Sequence, residues 1–363
     1  MRSWHVTRSA RWAVILFAAL LLSGCGWFQQ DDPADDAGDS TAVPTQGSTG
    51  GTDEPAETED DAGPIPGAQT MTLYTCVTDA TVQAVIDGFT AEHPGTAIDL
   101  FRAPTGQLNA RIAADLRGAG VGADVLWTCD PLTMQDQLEQ DVVRSWVPDN
   151  AEDIPAEYRT EDYVGVDLLY VVTAVHDDAP LPESWLDLAG PAYTDRVAIP
   201  DPGFAASALG LLGYLESAPD YGLDYYQALA DNGAVELESP TDVLTGVAQG
   251  TYDAGIVLAN AAYAAQAEGS PIEVVWPEPG AVAIYAPIAP TTKPGAEPLA
   301  EAFIEYVASE EGQRVMAATD VYPVLEGIPG PPIPDDAPVI SPDWPTLAGG
   351  TDDMLARYRL IFG

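Results

Sequence analysis

From residue 71 onward the chain repeats one pattern: a short apolar run, a polar turn, then apolar residues at helical spacing. MTLYTC (71–76) reads as a strand, and Asp79 reads as the N-cap of a helix whose inner face is Val82, Val85, Ile86 and Phe89. TAIDLF (96–101) leads into RAPTGQLNARIAADLRG (102–118), and ADVLWTC (123–129) into DPLTMQDQLEQ (130–140). DRVAIPDP (195–202) leads into GFAASALGLLGYLES (203–217), and DAGIVLAN (253–260) into AAYAAQAEG (261–269). Strands that alternate with helices predict an α/β fold with mainly parallel sheets.

In such sheets a ligand sits beyond the C-terminal ends of the strands. The turns there are TCVTD, APTGQ, TCDP, PDPGFAAS and ANAAY. They supply Thr75, Thr78, Asp130 and Asn260 as candidate contacts. Thr105 reads as an N-cap, and Gly106 lets backbone come close; a helix N-terminus offers free N–H groups and a partial positive charge, which suits an anion. Gly203, Ala205 and Ser207 repeat the device in PDPGFAAS, and Arg102 is one of few cations nearby. Phe204, Tyr263 and Tyr285 are candidates for an aromatic wall. For each residue taken alone, ordinary capping and core packing explain it as well. Taken together they favour a small polar or anionic organic solute.

Phosphate-loop, dinucleotide, zinc-protease, serine-hydrolase and CxxC patterns are missing from the sequence. The three histidines, His5, His93 and His176, are scattered and read as surface residues rather than ligands or bases. A secreted hydrolase of this size would need a nucleophile paired with a base, and no convincing pair is present. No cofactor, metal site or catalytic residue is expected.

The N-terminus points to the compartment. Arg2, Arg8 and Arg11 precede the apolar run WAVILFAALLL, a basic and apolar start of secretory type that is too short for a comfortable membrane span. Leu22-Ser23-Gly24-Cys25 resembles the lipobox of lipoprotein signals, which implies removal of residues 1–24 and a lipid on Cys25. Residues 25–70 have no apolar period and carry eleven acidic residues, so they are expected to be a disordered tether with a reach of ~35 Å. The whole chain holds 57 acidic against 13 basic residues, for a net charge of −44, and Lys293 is its sole lysine. Nucleic-acid binding needs a basic face, which this balance does not provide.

An ordered set of segments carries a resemblance. LYT (73–75), HPGTAIDLFRAPTGQLNARI (93–112), ADVLW (123–127), ESWLDLAGPAYTDRVAIPDP (183–202), GTYDAGI (250–256) and AEAFIEYVASEEGQ (300–313) together resemble an extracellular solute-binding protein. The chain is similar to the branch that includes ferric-binding proteins and the carriers of phosphonates, sugar phosphates and thiamine. The resemblance implies a type II periplasmic-binding-protein-like fold: two lobes joined by two crossing hinge strands that close on a ligand, a monomer whose partners are a small solute and an ABC permease. YVGVDLLYVVTAVH (163–176) and GAVAIYAPIAP (280–290) are the candidate crossings. They divide the chain into a first lobe of 71–166 plus 284–325, a second lobe of 167–283, and a C-terminal extension of 326–363 packed on the lobes. Ferric-binding members use paired tyrosines at the corner where this chain has Asn260-Ala261-Ala262-Tyr263, and only one tyrosine survives here. Ferric iron is therefore the alternative ligand.

With Cys25 taken up by lipid, Cys76 and Cys129 remain. Outside the cytoplasm two remaining cysteines are usually paired. Both lie near the ends of parallel strands that neighbour each other in a 2-1-3 order, and ~4.8 Å between strands suits the Cα spacing of a disulfide.

Overall fold

The computed structural model describes residues 69–363, with Ile65 and Gly67 ahead of them. The expected signal, Cys25 and nearly all of the acidic tether lie outside the described residues. The described chain begins with three strand–helix units: β1 (Thr70–Thr75), α1 (Asp79–Glu92), β2 (Ala97–Arg102), α2 (Thr105–Leu116), β3 (Val125–Trp127) and α3 (Pro131–Glu139). A long strand follows, β4 (Val164–His176). Next come β5 (Val197–Pro200), α4 (Ala206–Ser217), α5 (Gly222–Asp231), β6 (Val235–Leu237), α6 (Pro240–Ala248), β7 (Ala254–Leu258), α7 (Ala259–Ala267) and β8 (Ile272–Val275). The chain returns through β9 (Ala281–Pro290) to α8 (Glu297–Ala308), α9 (Glu310–Ala317) and β10 (Tyr322–Pro323). It ends with β11 (Val339–Ile340), α10 (Trp344–Leu347) and α11 (Thr351–Phe362).

The strands lie in the order β2-β1-β3-β9-β4-β7-β5-β6. Each flank is parallel: β1 pairs with β2 and β3, and β5 pairs with β6 and β7. The two central strands run against their neighbours. β4 pairs antiparallel with β9 over Val164–Val171, then with β7 and β8 beyond it. β9 pairs antiparallel with β3 at Ile288–Pro290. The result is the two-lobed periplasmic-binding-protein architecture, with β4 and β9 running through both lobes. Every residue of β9 is buried, as expected of a strand covered on both faces.

Side chains remote in sequence lock the elements to this frame. Trp185 lies in a short 3-10 turn closed by a reciprocal Ser184–Asp187 capping box, and its indole donates to the Gly280 carbonyl at 3.0 Å. Gln313 of α9 is fully buried; it donates to the Val166 carbonyl at 2.6 Å and accepts from the Val324 N–H at 2.9 Å. Lys293 donates to Asp124 at 2.8 Å, and the same carboxylate oxygen accepts from the Thr72 N–H at 2.7 Å, which ties β1 to the approach to β3. The Tyr225–Tyr226 pair is buried in α5, in agreement with its sequence reading as helix packing.

Asp167 sits at an irregular step in the β4/β9 pairing and is only 3% exposed. Burial pushes its carboxyl up to about 7. Its folded-state pKa is raised above the ordinary carboxylate value, so the folded chain holds the proton more tightly than the unfolded one. The associated stability is present at low pH and lost as pH rises through 7. Asp167→Asn keeps the shape without the charge. Thermal melts should show the variant more stable than the wild type at pH 8, by up to about 4 kcal/mol, and near parity at pH 4. A difference independent of pH would mean that Asp167 is not held neutral by the fold.

Candidate functional site

The C-terminal ends of β1, β2 and β3 gather three loops on the first lobe. Thr75 closes β1 and is fully buried, its hydroxyl accepting from the Val77 N–H at 3.0 Å. The cap of α1 is Thr78, not Asp79: the Thr78 hydroxyl accepts from the Thr81 N–H at 3.4 Å, and Asp79 is the first helical residue, where its charge favours the positive helix end. Arg102 ends β2, opposite Thr75, and its Nε donates to the Val77 carbonyl at 3.0 Å. It braces the loop after β1 as well as carrying charge. The cap of α2 is Pro104, with extended backbone and no side-chain hydrogen bond; Thr105 is the first helical residue, and buried. Proline fixes its own φ near the required value and pushes the cap one residue earlier than the Thr-Gly pair suggested.

Cys76 and Cys129 form a disulfide, with Cα atoms 5.9 Å apart. It fastens the loop after β1 to the loop after β3, where Asp130 follows at once. Asp130 is fully buried and caps α3, Oδ1 accepting from the Thr133 N–H at 2.7 Å. Its Oδ2 and the Thr133 Oγ1 have no hydrogen-bond partner among the described residues. Burial pushes its carboxyl up to about 6 despite the Thr133 backbone hydrogen bond, which pulls it down. Burial raises the phenols of Tyr163, whose hydroxyl donates to Gln135 at 3.4 Å, and of Tyr285, and the nearby Asp130 charge adds a smaller push to both.

On the second lobe, the loop after β5 carries Gly203, Phe204 and Ala205 into α4. Asp201 organises it: its carboxylate accepts from the Gly203 N–H at 2.7 Å, and its carbonyl accepts from Phe204 at 3.1 Å and Ala205 at 2.9 Å. Ala205 caps α4 without a side-chain bond, Ser207 is buried in the first turn, and the Phe204 ring is exposed. After β7, Asn260 donates to the Asp320 carbonyl at 3.0 Å, and the Tyr263 hydroxyl accepts from the Trp276 indole at 2.9 Å.

The two sets of loops meet. A Cβ on Gly106 would collide with the Gly203 carbonyl oxygen, so the N-terminus of α2 rests directly on the second lobe's loop. Asn260 reaches the first lobe's chain at Asp320, beside the Thr81–Thr319 hydroxyl pair at 2.8 Å. Thr105, Gly106, Gly203, Ala205 and Ser207 thus come to one seam. Thr75, Thr78, Arg102 and Asp130 form the first-lobe floor around the disulfide. Tyr285 is in neither set; it lies buried in β9 against Tyr158, ring centroids 6.0 Å apart. Sequence reasoning passed over Asp201, Tyr163 and Arg359. The Arg359 guanidinium of α11 lies beside Gly203.

The helix starts at the seam present backbone donors, while Asp130 and Asp201 present acceptors. The arrangement suits a polar solute with groups of both kinds. Among the described residues no cluster of three or more His, Cys, Asp or Glu side chains is placed to hold a metal ion. No helix among them is long and apolar enough to cross a membrane.

A profile for the family described as bacterial extracellular solute-binding protein matches residues 72–319. No curated protein matches the chain. Solved structures share the fold at low identity. The periplasmic binding protein P5PA aligns with a TM-score of 0.72 at 15% identity, over 82% of this chain and 100% of that one. The periplasmic binding protein AfuA from Actinobacillus pleuropneumoniae, solved with exogenous fructose-6-phosphate bound, aligns with a TM-score of 0.72 at 16% identity, over 81% and 99%. Iron-bound HitA from Pseudomonas aeruginosa aligns with a TM-score of 0.71 at 20% identity, over 81% and 99%.

Two outcomes follow from this geometry. Gly106→Ala places a methyl group where a backbone oxygen already sits, so full contact of the lobes is blocked while each lobe stays intact. The variant should melt near the wild-type temperature without ligand and bind its solute at least tenfold more weakly by calorimetry; unchanged affinity would show that the seam is not part of the closed site. Replacing both cysteines, Cys76→Ser with Cys129→Ser, opens a loop with a sequence separation of 53. In the chain-entropy model that should lower stability by about 4 kcal/mol, read from denaturant unfolding.

Proposed function

The chain belongs to the bacterial extracellular solute-binding protein family, and from that premise we propose that it captures a small polar or anionic organic solute between its lobes and delivers it to the permease of an ABC import system. The observation that carries this reading is the meeting of strand-end loops from both lobes at Gly106–Gly203 and Asn260–Asp320, on a frame joined by two crossing strands. Such a frame closes by hinge motion and completes a site only when closed. We divide the lobes at 71–166 plus 284–325 and 167–283, with 326–363 as an extension packed on both.

Backbone donors at the starts of α2 and α4 and the guanidinium of Arg102 supply the anion-binding side of the site. Thr75, Thr78, Thr105, Ser207, Asn260 and Asp130 supply polar contacts, and Phe204 and Tyr263 apolar surface. Asp130, buried with one oxygen unpartnered, is matched by a donor on the solute. The sugar phosphate bound by AfuA carries both an anion and hydroxyl donors. Ferric iron, as in iron-bound HitA, is the second reading. It rests on Tyr263, yet that phenol is engaged with Trp276, and iron(III) prefers several anionic oxygens.

The family and its structural neighbours are binding proteins, and the chain needs no catalytic role. We place it as a monomer on the outer face of the cell membrane, held by a lipid on Cys25 through the acidic tether.

A thermal-shift panel on residues 70–363 tests the reading, with phosphonates, sugar phosphates, phosphate, thiamine, polyamines, amino acids and ferric iron as separate arms. A true ligand at a hundred times its dissociation constant should stabilise the protein by about 2.7 kcal/mol. Small-angle scattering should then show a smaller radius of gyration with that ligand. Stabilisation by ferric iron with no organic hit would overturn the organic-solute assignment.

A further inference from the structure

The family profile ends at residue 319, and the chain beyond it closes with α11 against the second lobe. Tyr358 anchors that helix: its hydroxyl donates to Glu236 of β6 at 2.6 Å, and its ring meets Tyr226 edge-on at 5.3 Å. One turn earlier, Met354 comes within 3.9 Å of the point where a Cβ on Gly213 of α4 would stand, and Arg357 pairs with Glu216. These contacts fix the backbone on which the next residue, Arg359, is carried. Its Nη2 lies 3.1 Å from where a Cβ on Gly203 would stand.

Arg359 is exposed and has no carboxylate partner among the described residues. Arg111, Arg144, Arg196, Lys293, Arg314 and Arg357 each hold one. Asp201 faces the same point on Gly203, its Oδ1 also 3.1 Å away, but that oxygen accepts from the Gly203 N–H. Gly203 therefore has Arg359 on its Cα side and its carbonyl oxygen against Gly106. Two helix starts come to this loop, those of α2 and α4, each twelve residues long, and neither has a side-chain cap. Thr105 and Ser207 stand in their first turns, 5% and 4% exposed, and neither hydroxyl makes a hydrogen bond among the described residues. Buried hydroxyls are normally paired, so both are open to a partner from outside the chain.

We propose that Arg359 is a ligand-binding residue supplied by the C-terminal extension, whose guanidinium takes the oxyanion end, a phosphoryl or phosphonyl group, of the solute at the Gly106–Gly203 seam. The place given to the solute rests on the function read above; the chemistry of its charged end is what Arg359 adds. A phosphoryl group offers three strong acceptor oxygens. Uncapped N–H groups at helix starts and two buried hydroxyls donate to such oxygens, and a planar guanidinium donates two parallel bonds at once. Helix ends supply only partial charge, and an anion at this loop also faces the Asp201 carboxylate. The full charge of Arg359 offsets that repulsion. Gly203 keeps the guanidinium next to the seam, because a side chain there would crowd both Arg359 and Asp201.

Calorimetry on the full chain, with inorganic phosphate and methylphosphonate as separate probes, decides the matter. Arg359→Gln should weaken both probes by about tenfold or more, the scale of a lost hydrogen bond to a charged group. Arg359→Lys, which keeps the charge without the planar fork, should weaken them less. Both variants should melt at the wild-type temperature without probe, since Tyr358 holds the helix. Gly106→Ala should weaken the probes as well. Wild-type affinity in Arg359→Gln alongside loss in Gly106→Ala would overturn the role of Arg359 and leave the seam site standing. Loss in Arg359→Gln alongside wild-type affinity in Gly106→Ala would show an oxyanion held away from the seam, which overturns both the seam reading and the place given to the solute. A wild type that binds neither probe would overturn the oxyanion assignment and leave an uncharged polar solute between the lobes. A fall in melting temperature that accompanies the loss in both Arg359 variants would mark a packing role and overturn the assignment too.

Discussion

The antiparallel pairing of β4 with β9 is the constraint on which the rest of the molecule depends. The parallel strands of the two lobes do not pair with each other; β9 and β4 lie between them in the sheet order. β4 and β9 join the two flanks by pairing antiparallel with each other and outward, β9 with β3 and β4 with β7 and β8. Both strands are buried along almost their whole length. The strand-end loops of both lobes face one another only because these two strands set their relative orientation.

Charge is used sparingly inside this acidic protein. The sole lysine is spent on Asp124, a carboxylate 5% exposed that also accepts a backbone N–H. Removing the lysine would leave the buried Asp124 charge unpaired, which is costly. Asp167 and Asp130 receive no such cation and are instead held towards neutrality by burial. One lies at the irregular step between β4 and β9, and the other caps α3 beside the disulfide with one carboxylate oxygen unpartnered among the described residues. The disulfide acts alongside them, since it fixes the two loops that flank Asp130 without adding charge.

Much of the fold was legible because its signals are local. Each strand–helix unit announced itself through a switch from an apolar run to a helical period, and the observed elements fall where those patterns lie. The Cys76–Cys129 bridge was legible because parallel neighbours at known spacing leave little freedom for two residues at strand ends. Caps were misplaced by one residue at α1 and α2, because Thr78 competes with Asp79 and Pro104 with Thr105 for the same role. Such competition is settled by which neighbour's backbone is already extended, and composition does not record that.

The sequence by itself determined the elements and their parallel grouping through short-range periodicity, the bridge through strand geometry, and the class of protein through an ordered set of segments that resembles a known family. Only the tertiary structure decided which surfaces meet. Gly106 resting on Gly203, Asn260 reaching Asp320, Tyr285 turned into the hinge and α10 packed on α3 and α4 all join residues far apart in the chain. Those contacts depend on how β4 and β9 twist between the lobes, a property of the paired strands that no single segment carries.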